Sequence, residues 1–302
     1  MEYNELQKEV LRLKKEKDAL ILAHYYQTLD VQDIADFVCD SFEMAKKAKN
    51  SKSKLIVICG VKFMAESAKI LCPDKKVLLP APDAGCPMAD MVEPQGVMEL
   101  KEKYPGATVM CYVNSSAEVK AVSDICCTSS SAVRIAKNID AQQIIFIPDK
   151  NLGSFVAQQV PEKEFIIWQG FCPTHNRISE EDILKAKQVH PNGKFAVHPE
   201  CSEEVLRHAD FIGSTAEIID YAKKSPYKEI IIGTEMGILE RLIRELPDKK
   251  IFSVTAAFIC PNMKMTRLQS VRDCLKNESN EIILDDEQIA RAKKSLDRMI
   301  AF

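Results

Sequence analysis

The segments ILAHYY (21–26), VMCYVN (109–114) and FAVHPE (195–200) share one pattern, an apolar run that ends on imidazole, phenol, amide or carboxylate groups. His24, Tyr112 and His198 stand 88 and 86 residues apart. Self-similarity at a fixed spacing signals a repeated architecture, and three more landmarks recur in the same order. An acidic stretch runs into small hydroxyl residues in ADFVCDSFEMA (35–45), SDICCTSSSA (123–132) and ADFIGSTAEI (209–218), which brings Ser41, Ser129 and Thr215 into line. Buried-strand patterns follow at Leu55–Cys59, Gln143–Ile147 and Glu229–Ile232, then at Val77–Leu79, Glu164–Ile167 and Ile251–Val254. Each of the latter leads to a Cys-Pro pair, at Cys86, Cys172 and Cys260, again 86 and 88 residues apart.

Each repeat therefore reads β-α-β-α-β, with helices such as Asp30–Lys49 and Val133–Asn138 between apolar strands. Such crossovers make parallel sheets covered on both faces. The fold expected is α/β, three homologous units with small parallel sheets around a pseudo-threefold axis. The units span 1–100, 101–187 and 188–269, with the C-terminal helical segment 270–302 packing back on the first. The N-terminus, with Leu6, Val10 and Leu13 at helical spacing among charges, reads as a surface helix and not as a signal peptide.

Composition narrows the function classes. Over 302 residues, 46% hydrophobic and 28% charged content describe a globular protein, and a net charge of −3 gives no general attraction to nucleic acid or anionic membrane. No apolar run approaches the roughly 20 residues of a membrane span. Eleven cysteines without a secretion signal point to a reducing cytoplasm, and their odd number argues against a full disulfide framework. Cys39, Cys59, Cys72, Cys111, Cys126, Cys127, Cys201 and Cys274 read as structural thiols.

Parallel α/β units bind ligands beyond the carboxyl ends of their strands, where His24, Tyr26, Tyr112, Asn114, His198 and Glu200 all fall. Ser41, Ser129 and Thr215 occupy expected N-cap or first-turn positions, where free amides and the helix dipole favour an anion. Three thiols from three units suit a 4Fe–4S cluster with one iron left open, because a cubane has its own three-fold axis through that iron; structural zinc instead prefers four protein ligands. These residues suit an enzyme acting on a small, multiply anionic substrate, such as a three-cysteine hydro-lyase on a hydroxy acid, and leave a non-catalytic metal sensor open.

The set AHYYQ (23–27), GCPMADM (85–91), YVNSSAEVKA (112–121), CTSS (127–130), GFCPTH (170–175), VHPEC (197–201), GST (213–215) and CPNMK (260–264) resembles the quinolinate synthase family over nearly the whole chain. The resemblance implies three α/β/α domains around one site. It also implies condensation of iminosuccinate (iminoaspartate) with dihydroxyacetone phosphate to quinolinate, in NAD biosynthesis, with release of phosphate and two waters. It places a 4Fe–4S cluster on Cys86, Cys172 and Cys260, and substrate against His24, Ser41, Tyr112, Asn114, Ser129, His198, Glu200 and Thr215. Tyr26 and Glu200 would be the acid/base pair, with His198 and His175 assisting. An aspartate oxidase or dehydrogenase would supply the imine. Some relatives carry a C-terminal Cys-x-x-Cys pair; here only Cys274 lies beyond Cys260.

Overall fold

The computed structural model describes residues 3–302. Its twelve strands are β1 (Ala19–His24), β2 (Phe37–Cys39), β3 (Leu55–Cys59), β4 (Lys76–Leu78), β5 (Thr108–Tyr112), β6 (Ile125–Cys127), β7 (Gln143–Ile147), β8 (Glu164–Ile167), β9 (Lys194–Val197), β10 (Phe211–Ile212), β11 (Glu229–Gly233) and β12 (Lys250–Ser253). They form three four-stranded parallel sheets ordered β2-β1-β3-β4, β6-β5-β7-β8 and β10-β9-β11-β12. The repeat holds to the register. Leu22 pairs with Phe37, Met110 with Ile125 and Ala196 with Phe211. The third and fourth strands of each unit pair as Leu55 with Lys76, Gln143 with Glu164 and Glu229 with Lys250.

Each unit has one strand more than the sequence pattern shows. The helix expected over Asp30–Lys49 is divided into Leu29–Ile34, β2 and Ser41–Asn50. The division has a repeated cause. Asp36, Asp124 and Asp210 each take a backbone amide of the first strand of their unit, from Ile21, Val109 and Phe195, at 2.8, 2.8 and 2.9 Å. The aspartate amides return bonds to the carbonyls of the same three residues. This reciprocal clamp lays the next two or three residues along the sheet edge before a new helix starts. A second clamp recurs at Lys75, Lys163 and Lys249, whose ammonium groups bond carbonyls at the C-termini of the helices Ser41–Asn50, Ala132–Asn138 and Thr215–Lys224. Cations there complement both the unpaired carbonyls and the helix dipole.

The central strands are buried on both faces, which explains their unbroken apolar runs. From β1 and β3, Leu22, Ile56 and Ile58 face the main core. Ile21, Ala23, Val57 and Cys59 face a second cluster, closed by Val10 and Leu13 of the N-terminal helix and by Leu268, Val271 and Leu275. Each fully buried aliphatic side chain contributes about 1.5–3 kcal/mol.

The segment 270–302 does not stay on the first unit as a whole. Helix Leu268–Asn277 packs on the N-terminal helix, and Asn280–Ile282 bonds along β4, from Leu79 N to Asn280 O and from Ile282 N to Val77 O. The last helix, Asp286–Ala301, instead lies mainly on helix Ala117–Val122 and β6 of the second unit, while also touching helix Lys62–Leu71 of the first. Ser295 Oγ donates to Lys120 O at 2.9 Å, and Lys49 pairs with Asp297 at 2.8 Å. It therefore covers a seam. Among the described residues no helix is long and apolar enough to cross a membrane.

Candidate active site

In an order such as β2-β1-β3-β4, the chain leaves the first strand toward one side and returns to build on the other. That leaves a crevice beyond the carboxyl ends of the central strands. The three crevices open into one cavity, lined by His24, Tyr26, Ser41, Cys86, Tyr112, Asn114, Ser129, Cys172, His175, His198, Glu200, Thr215 and Cys260. All thirteen residues expected at the site from the sequence are thus in one wall. About 160 Å³ of the cavity is open to the centre of a water molecule.

The three cysteines stand apart from the other eight. Cys86, Cys172 and Cys260 are partly exposed, whereas the remaining cysteines are buried. Each opens a tight turn through the following proline, and backbone amides two or three residues on point at its sulfur: Met88 and Ala89 to Cys86, His175 to Cys172, Asn262 and Met263 to Cys260. Amides directed at sulfur favour thiolate. Burial opposes them and wins in the metal-free chain, pushing the Cys86 thiol up to about 12 and those of Cys172 and Cys260 upward as well. The second and third loops both touch the first. Asn262 Nδ2 donates to Gly85 O at 2.8 Å, Trp168 Nε1 donates to Met91 O at 2.8 Å, and the Phe171 amide donates to Met91 Sδ at 3.4 Å. Three convergent thiols that need a cation to become thiolates fit a soft metal group such as an iron–sulfur cluster.

Beside the thiols runs a hydrogen-bonded chain drawn from all three units. Tyr26 Oη is 2.8 Å from Thr215 Oγ1 and 2.7 Å from Thr234 Oγ1. Thr234 Oγ1 is 2.9 Å from His175 Nε2, and His175 Nδ1 is 2.9 Å from Glu200 Oε2 and 3.2 Å from Cys172 Sγ. Tyr112 Oη closes the chain by donating to Glu200 Oε1 at 2.6 Å. Burial alone would raise the Glu200 carboxyl, but His198, His175 and the Tyr112 bond together hold it below the usual carboxylate range. Burial lifts the phenols of Tyr26 and Tyr112 well above theirs. Glu200 is therefore the ionised member and the tyrosines are protonated.

His24 and His198 occupy equivalent positions and carry equivalent bonds. The amide of Tyr26 donates to His24 Nδ1 at 3.1 Å, and that of Glu200 to His198 Nδ1 at 3.3 Å. An Nδ1 that accepts leaves the proton of a neutral imidazole on Nε2; His198 Nε2 lies 3.2 Å from Ser129 Oγ. Burial lowers these imidazoles to about 3 and about 4, so both are neutral donors at neutral pH. Ser41 and Thr215 are the first residues of their helices, after the caps Asp40 and Ser214. Ser129 departs from the expected first-turn position: it lies in a turn ahead of helix Ala132–Asn138, whose cap residue is Ser131. The buried Asn114 Oδ1 has no hydrogen-bond partner among the described residues.

Several supporting residues were not read from the sequence. Thr234 joins Tyr26 to His175. Glu235, fully buried, accepts from Gly237 N at 2.6 Å and Cys260 N at 3.3 Å and pairs with Lys264 at 2.9 Å; Lys264 in turn donates to Tyr26 O at 2.5 Å. Asp149, at the equivalent position of the second unit, accepts from the amides of Asn151 and Leu152 at 2.8 and 2.9 Å. Val61 is the first unit's counterpart. The same offsets of 88 and 86 connect Val61, Asp149 and Glu235, so extending the repeat past β3, β7 and β11 would have found the two acids. Gly237 lets this loop approach: a Cβ there would stand 2.7 Å from Tyr26 Cα.

The chain is similar to known proteins over nearly all of its length. The family described as "Quinolinate synthetase A protein" matches residues 8–301. A quinolinate synthase of Caldicellulosiruptor bescii is 56% identical over 295 residues, covering 98% of this chain and 97% of that protein. Those of Alkaliphilus metalliredigens and Methanosarcina barkeri are 51% and 50% identical, over 97% and 100% of this chain and 96% and 99% of theirs. Matched over nearly all of its length and identical to these relatives at half or more of the aligned positions, the chain belongs to the quinolinate synthase family.

Proposed function

We propose that the chain condenses iminosuccinate with dihydroxyacetone phosphate to quinolinate, releasing phosphate and two waters, as a cytoplasmic transferase of NAD biosynthesis. The carrying observation is a single cavity in which three thiols, one from each unit, face a hydrogen-bonded chain also built from all three. Cys86, Cys172 and Cys260 would hold a 4Fe–4S cluster. When bound, the cluster would supply a Lewis acid that weakens a carbon–oxygen bond for loss of water.

The remaining chemistry belongs to side chains. Two carboxylates and a phosphate need donors more than bulk positive charge. The neutral Nε2–H groups of His24 and His198, the hydroxyls of Ser41, Ser129 and Thr215, and the adjoining helix amides supply them. Asn114 Oδ1, buried without a partner, is free to accept from an imine or hydroxyl of the substrate. Glu200, ionised and next to His175, takes a proton from carbon. Tyr26, protonated, gives one to a carbonyl or hydroxyl oxygen, and Thr234 and His175 return the proton between them. Three units enclosing the site keep water from the reactive imine, whose supply falls to an aspartate oxidase or dehydrogenase.

The test is anaerobic turnover with freshly generated iminosuccinate and dihydroxyacetone phosphate. Quinolinate and phosphate should appear in equal amounts, and Glu200→Gln should lower kcat by about 10²–10⁴ while leaving iron content unchanged. Phosphate release without quinolinate, or near-normal turnover by the Glu200→Gln enzyme, would remove this reading. A hydro-lyase is the weaker alternative, because such an enzyme needs no donors for a third anionic group.

A further inference from the structure

Cys172, His175 and Glu200 form a compact donor set of their own. Cys172 Sγ, a His175 ring nitrogen and a Glu200 carboxylate oxygen all lie within 4.8 Å of one another. His175 Nδ1 touches both partners, at 3.2 Å from sulfur and 2.9 Å from Oε2. Thiolate, imidazole and carboxylate are the three donor types of protein zinc sites, at about 2.3, 2.0 and 2.1 Å from the metal. Tetrahedral bonds of those lengths separate the donors by about 3–4 Å, so the present contacts need expand only slightly.

The surrounding groups already orient the donors as zinc ligands are oriented. His175 Nε2 is held by Thr234 Oγ1 at 2.9 Å, and the other Glu200 oxygen is held by Tyr112 at 2.6 Å. His175 and Glu200 are buried, and the set faces the cavity, which leaves a fourth position open. That is the pattern of zinc with three protein ligands and one exchangeable site.

We infer that the chain, before it carries a cluster, binds one zinc ion through Cys172 Sγ, His175 Nδ1 and Glu200 Oε2. Zinc binding requires Cys172 as thiolate and His175 Nδ1 free of its proton, so protons leave to solvent as the ion enters. Because Cys172 is shared, zinc and the cluster exclude each other. That consequence rests on the cluster reading above; the zinc site itself does not.

The test uses the full-length, reduced, cluster-free chain, titrated anaerobically with Zn²⁺ against a chromogenic chelator and with Co²⁺ as a spectroscopic substitute. Expected are one ion per chain, tetrahedral cobalt bands and sulfur charge transfer of a single thiolate. Cys172→Ser, His175→Asn and Glu200→Gln should each weaken binding by at least about tenfold, and Thr234→Val by about tenfold; Cys86→Ser and Cys260→Ser should not. No binding, or a three-thiolate spectrum lost in Cys86→Ser and Cys260→Ser, would overturn the assignment. The cobalt spectrum needs no variant, so it stands even where a substitution impairs folding. A zinc-loaded chain should also resist reconstitution with iron and sulfide. If it binds zinc as stated yet assembles a cluster without losing the ion, the shared-ligand consequence fails while the zinc site survives.

Discussion

His24 and His198 show how much a single side chain can carry here. Each is fixed as a neutral donor by a backbone amide on Nδ1 and by burial that depresses its pKa from 6.5 to about 3 and about 4. The sign of the pH effect follows. Below 6.5 the unfolded chain binds protons that the folded chain refuses, so stability is complete above 6.5 and falls as pH drops toward 3–4. Each histidine contributes a slope of up to about 1.4 kcal/mol per pH unit. Urea unfolding of the cluster-free chain should therefore show midpoints that decline from pH 7 to pH 5, and His24→Gln should flatten the decline. An unchanged slope in that variant would mean that His24 binds its proton equally well in the folded and unfolded chain. These residues were readable because strand-end polar groups recur at fixed offsets. Thr234 was not, because its counterparts are Gly60 and Pro148, which share its place in the chain but none of its chemistry.

At the scale of elements, the central strands β1, β3, β5, β7, β9 and β11 were plain in the sequence as apolar runs. The edge strands β2, β6 and β10 were not. They hold two or three residues and are followed at once by a new helix or turn, so no alternation has room to show. What defines them is the aspartate clamp before each strand, which is a tertiary bond. Asp210 illustrates its worth: burial would raise its carboxyl, but Lys194 and the Phe195 amide hold it below 3.8. Its contribution is present above that value and is lost as pH falls below it. Asp210→Asn should cost about 1 kcal/mol at pH 7, with the gap to the parent closing in acid below pH 3.8. Equal melting temperatures at pH 7 would show that the clamp only reports the strand and does not hold it.

At the scale of the molecule, the three repeats are not three independent domains. The C-terminal segment, expected on the first unit, serves two: Leu268–Asn277 closes the first unit's outer face, and Asp286–Ala301 lies over the second while reaching the first. The sequence showed a helical C-terminal segment but not which surfaces its apolar residues meet. Leu296 and Met299 are fully buried in the main core. Leu296→Ala should therefore cost about 2–5 kcal/mol and loosen the active site with the fold, seen as one cooperative melt at lower temperature. A first melting step confined to one unit would contradict that coupling.

The central claim is that three repeats bring three thiols to one cluster with an iron open to the substrate cavity. Mössbauer spectroscopy of the anaerobically purified, iron-57-enriched chain, with and without quinolinate, tests it most directly. About four irons per chain, with the signal of one site shifting when quinolinate is added, is the result expected. Irons that all ignore the ligand, or a chain that holds no cluster when reconstituted, would contradict the account.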